Sequence, residues 1–227
     1  MPDANAVDSQ RLQLAELIAR FAAADGTHET DIASLVLYRA SAPSPIIHTL
    51  YRPALCIMAQ GQKVVRLESE SYCYDPLHYL VASVTLPVTG EVTLATADEP
   101  YLSLRLDIDP AELGELIASA GPIGVPSRGN GRGLHVDQLD APLLDAVLRL
   151  LRLLEAPRDI AMLAPLVRRE ILYRLLCSPQ GQLLRDIATA DSQAHRVNRA
   201  IEWLNRHYDA PLRLSLIHIS EPTRQEA

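Results

Sequence analysis

A chain of 227 residues with 48% hydrophobic and 22% charged residues has the composition of a globular protein and the length for a sizeable core. Its net charge is −7, and it has neither a run of 18 apolar residues nor a basic-then-apolar leader, so a cytoplasmic chain without membrane partners is expected. Three scattered cysteines, Cys56, Cys73 and Cys177, argue against a disulfide framework.

The charge is uneven. Residues 1–145 hold 9 Lys and Arg against 19 Asp and Glu, whereas residues 146–227 hold 12 against 9. The acidic front is a poor nucleic-acid surface, and the Arg-rich back can approach phosphates.

In chain order, Gln10 to Ala24 reads as an amphipathic helix with Leu12, Leu14, Leu17, Ile18 and Phe21 inward, ended by Gly26. From Ser34 the texture changes to short β-branched and aromatic runs broken by Pro, Gly and Asp. Strands are expected at 34–40, 46–50, 54–60, 62–67, 71–74, 78–84, 90–95 and 101–108. Gln60-Gly61 suits a hairpin turn, since Gly tolerates positive φ. Eight short runs so spaced indicate an antiparallel sandwich or small barrel. Asp109, Pro110 and Glu112 have the spacing of a capping box, and Gly121 closes the helix they start. The Pro- and Gly-rich stretch 122–133 reads as a flexible linker and domain boundary.

Beyond it the period is helical. In LLDAVLRLLRLLE at 143–155 the polar residues form one thin stripe, and so wide an apolar face needs two covering surfaces. Leu148, Leu151 and Leu154 are therefore expected at a homodimer interface. Pro157 breaks this helix, and Leu163 to Cys177 forms another, with Glu170 and Arg174 in favourable i,i+4 order. Further on, Val197, Ile201, Leu204 and Tyr208 make one apolar stripe, leaving Arg196, Arg199 and Arg206 in water. Pro211 then stops the helix and can open another.

Candidate sites are few. His48 and His78 lack the close His and carboxylate neighbours of a metal-binding barrel, and no nucleophile-elbow, phosphate-loop, dinucleotide or zinc-protease motif occurs. No cofactor is expected. Cys56 and Cys73 fit either a thiol sensor or buried structural cysteines. Tyr72, Tyr74 and Tyr79 fit either a pocket lining or cross-strand packing.

Two parts of the chain carry a family resemblance. RVNRAIEWLNRHYDAPLR at 196–213 resembles the opening of the DNA-binding domain of AraC-type transcriptional regulators. YRPALCIMAQGQK at 51–63, YCYD at 72–75, YLVASVTLPV at 79–88, PYLSL at 100–104 and REILYRLL at 169–176 follow the order of the sensor portion of one AraC subgroup. The resemblance implies an α+β chain: a cupin-like antiparallel β-barrel sensor, an α-helical dimerisation and linker region, then the first helix of a truncated helix-turn-helix domain. The corresponding ranges are 1–121 for the sensor, 122–133 for the linker, 134–190 for the helical region and 191–213 for the start of the DNA-binding domain. It implies DNA and a small-molecule effector as partners, with Arg196, Arg199 and Arg206 on the DNA backbone. Cys56, Met58, Tyr72, Tyr74 and Tyr79 become pocket candidates. The alternatives are a stand-alone cupin-type binding protein or enzyme, and a partner that inhibits by forming mixed dimers.

After Arg213 the resemblance stops. The eleven residues LSLIHISEPTR, 214–224, resemble the conceptual translation of a transposase-based sequencing adapter. Residues 214–227 are thus expected to be an artefact rather than evolved sequence, and the chain to lack the recognition helices that read bases.

Overall fold

The strand Ala54–Gln60 (β4) sets the architecture, because it is apolar on both faces. Leu55, Ile57 and Ala59 point into one buried cluster, and Cys56 and Met58 into another. Alternate side chains leave opposite faces of a strand, so β4 must lie between two covering layers. Helices supply one layer and a second sheet the other. In the computed structural model, residues 4–120, 133–179 and 181–188 are described.

The larger sheet holds β1 (Gly26–Glu29), β2 (Leu35–Ala40), β4, β7 (His78–Ala82), β9 (Tyr101–Asp107) and β10 (Leu134–Gln138), in the order β1-β2-β9-β4-β7-β10. The smaller holds β3 (Ile47–Tyr51), β5 (Gln62–Leu67), β6 (Glu70–Tyr74) and β8 (Leu86–Leu94), in the order β3-β8-β5-β6. All pairings among the described residues are antiparallel, as the spacing of the runs predicts.

The predicted barrel closure is corrected: among the described residues no strand pairing joins the two sheets. Nor is Gly61 a hairpin turn. It passes the chain from β4 in one sheet to β5 in the other, at φ +87°. A Cβ there would lie 2.7 Å from the Leu94 carbonyl oxygen and 3.0 Å from the Tyr101 Cα, so only glycine fits this corner.

Helices α1 (Ala4–Phe21), α2 (Pro110–Ala120), α3 (Ala141–Arg152), α4 (Pro157–Cys177) and α5 (Gly181–Ala188) supply the other layer. In α1, Leu14 and Ile18 are buried, but Leu12 is 52% exposed, against expectation. Asp109 accepts from the Ala111 amide at 2.8 Å and starts α2. Glu112, expected to complete a capping box, instead takes Arg168 of α4 at 2.6 Å. Pro157 opens α4 rather than merely ending α3, since its missing N–H costs nothing in a first turn.

Two further expectations are corrected. Residues 134–190 are not a separate region: β10 pairs along β7 from Leu134–Ala82 to Gln138–His78, and one apolar cluster runs from Leu14 to Leu184. Leu148, Leu151 and Leu154 offer nothing to a second subunit, being 1%, 0% and 8% exposed within the single chain. The wide apolar face of α3 is covered by α1 on one side and α4 on the other. The linker through residue 132, the stretch 191–213 with Arg196, Arg199 and Arg206, and the tail 214–227 lie outside the described residues.

Candidate ligand cavity

Between the two sheets lies a cavity of about 570 Å³, within the range of small-molecule sites. Strand β9 builds one wall. Its sequence YLSLRLD sends Leu102, Leu104 and Leu106 into the helix-side core and turns Tyr101, Ser103, Arg105 and Asp107 toward the cavity. Arg105 is fully engaged there: Nε donates to Asp107 at 2.7 Å and Nη1 to the Tyr38 hydroxyl at 2.6 Å. Burial alone would lower its pKa, but Tyr38 and Asp107 beside it raise it.

The opposite wall contributes Lys63 of β5. Its Nζ lies 5.7 Å from the centroid of the Tyr51 ring. Lys63 makes no hydrogen bond or ion pair among the described residues, and loss of hydration lowers its pKa below the ordinary lysine value. Gly90 on β8 makes room for it, since a Cβ there would stand 3.1 Å from the Lys63 Cε.

Aromatic and thiol groups fill the space between. Tyr74 and Tyr101 are buried and hydrogen-bonded to each other, and burial raises the pKa of both. Burial pushes the Cys56 thiol up to about 11, although Lys63 and Arg105 pull the other way. A thiol so held stays protonated at neutral pH, which makes it a poor nucleophile.

Of the residues singled out from sequence, Cys56 and Tyr74 line the cavity. Met58 shares the Cys56 face of β4 but is 0% exposed in the packed layer beyond the cavity. Tyr72 packs at the edge of that layer and donates to Glu70 at 2.7 Å. Tyr79 is a correction: the alternation of β7 turns it into the helix-side core, away from the cavity. Burial pushes its pKa up to about 12, opposed by a hydrogen bond with Ser178.

Tyr38, Lys63 and Arg105 were not singled out. The available signal was the polar alternation in YLSLRLD, where one arginine interrupts an apolar strand. Among the described residues, no group of three or more His, Cys, Asp or Glu is placed to hold a metal ion.

The family model described as the AraC-type transcriptional regulator N-terminus matches residues 31–183, more than half of the chain. The chain belongs to the AraC-type transcriptional regulators. No curated protein matches it. Among solved structures, this AraC-type chain is similar to an apo variant of ToxT from Vibrio cholerae strain SCE256, with TM-score 0.53 and 7% identity over 83% of this chain and 70% of that one. ToxT from Vibrio cholerae O395 gives 0.52 and 13% over 81% and 68%. Wild-type ToxT of strain SCE256 with bound unsaturated fatty acid gives 0.51 and 8% over 81% and 66%. At such identities the likeness is one of fold: antiparallel sheets with packed helices.

Proposed function

We propose that this AraC-type chain is the sensing part of a ligand-responsive transcriptional regulator, and that its effector is a small amphipathic organic acid held between the sheets. Lys63 carries the reading. A partly buried ammonium without a carboxylate partner, facing a cavity rich in tyrosine, calls for an anionic group with an apolar body. The fatty acid in one ToxT structure is a molecule of that class. Arg105 does not compete for the acid, because Asp107 already neutralises it.

The output partner in this reading is DNA, in the cytoplasm, with the regulator working as a homodimer and catalysing no reaction. Arg196, Arg199 and Arg206 are proposed to touch phosphates, which orients the protein but reads no sequence. These 227 residues alone are proposed to lack operator-selective binding, since nothing after Arg213 resembles a recognition helix. A mobility shift at physiological salt showing operator preference would overturn that part.

Calorimetric titration with a medium-chain fatty acid and its methyl ester tests the ligand class. The acid should bind and the ester should not, and Lys63→Met should weaken the acid by about tenfold or more. Equal binding of acid and ester would refute the role of Lys63.

A further inference from the structure

The first half of α4 is apolar where it meets water. Residues 160–167 read IAMLAPLV, yet only Ala164 among them is buried. Met162 is 76% exposed, Leu166 64% and Leu163 43%, with Tyr173 further along at 46%. Positions 162, 166, 169 and 173 recur at helical spacing and share one face. A contiguous apolar patch of this kind marks an association surface.

The charges at its two ends indicate what covers it. Arg158 and Asp159 precede the patch, and Arg169 and Glu170 follow it, placed symmetrically about Ala164. Laid antiparallel on a second copy of itself, α4 sets Asp159 against Arg169 of the other copy. The same register sets Arg158 against Glu170, and Met162 against Leu166. The side chains are available: Arg158 is 90% exposed, Asp159 44% and Glu170 30%, while Arg169 is exposed and reaches only the Ser119 hydroxyl. A parallel arrangement would instead set Arg158 against its own copy, and Asp159 likewise.

We propose that α4 pairs with α4 of a second copy, antiparallel and centred on Ala164, and that this is the homodimer surface of the chain. The two-fold axis makes every contact twice, so each substitution counts twice. The proposal rests on the homodimer reading above but not on the effector reading, because the measurement needs no ligand.

Sedimentation equilibrium of the full chain tests it, with circular dichroism to check folding. The unmodified chain should be dimeric at micromolar concentration, and Leu166→Glu monomeric. Asp159→Arg should weaken the dimer by about tenfold or more, and adding Arg169→Asp should restore it to within about threefold. A monomeric unmodified chain overturns both the surface and the homodimer, whether its own residues 191–213 or another protein covers the patch. A dimer indifferent to the charge series keeps the homodimer and overturns α4 as its surface. The charge series decides even if Leu166→Glu fails to fold.

Discussion

Arg149 of α3 and Glu170 of α4 meet at 2.6 Å, and the same carboxylate takes Arg174 of its own helix at 2.6 Å. Asp145 holds Arg149 from behind at 2.9 Å. The link is a partly exposed network, so its worth is modest: Glu170→Gln should cost about 0.5–1 kcal/mol, less in high salt. Hydrogen bonds from Arg149 and Arg174 hold the Glu170 pKa below the usual glutamate value. A depressed carboxylate contributes stability above its unfolded pKa of about 4.3 and loses it as pH falls through the folded value. Urea unfolding at neutral pH and near pH 3 should therefore separate wild type and Glu170→Gln at the first and merge them at the second.

Leu151→Ala distinguishes core from interface. The side chain is 0% exposed, so its truncation should cost about 2–5 kcal/mol and leave the oligomeric state unchanged. Denaturant melts together with sedimentation check both halves. A change of assembly at unchanged stability would return α3 to the dimer interface.

Gly90→Ala tests the cavity without touching a charge. The new Cβ would press on the Lys63 Cε from 3.1 Å and move the ammonium. Acid binding should weaken by about three- to tenfold, while the melting temperature moves little. Unchanged affinity would mean that the position of Lys63 does not matter.

Cys56 should be the slow thiol. It is buried while Cys73 and Cys177 are exposed, so a thiol reagent at pH 8 should consume two of the three quickly and the third only on unfolding. With the folded pKa near 11 and the unfolded near ~8.5, its contribution to stability is complete below the lower value. It is lost as pH rises through the upper one. Cys56→Ala should flatten that alkaline loss.

The sequence was informative where a pattern had a local cause. Eight strands and the α2 start at Asp109 follow from alternation, turn residues and a capping side chain. It missed β1, whose GTHE has no apolar run, and β10, which emerges from a Gly-rich stretch and gains its meaning only from pairing with β7. The apolar face of α3 correctly demanded two covers, but periodicity cannot tell a neighbouring helix from a neighbouring molecule. Lys63 was visible only as the end of a turn motif. Its cavity arises because Gly61 folds the smaller sheet back over the larger, a long-range fact with no local signature.

That fold-back gives the cavity an asymmetric build. Along one side the sheets are stitched by the one-residue step at Gly61 and by the short passage from β6 to β7. Along the other, β1 and β3 are the free margins, and Gly26, Thr27, Ile47 and Thr49 there are both cavity-lining and exposed. The pair behaves like a book bound at a spine, able to gape only at its fore-edge. A guest between the pages sets how far that edge stands open, and the back cover is the sheet on which the helices rest.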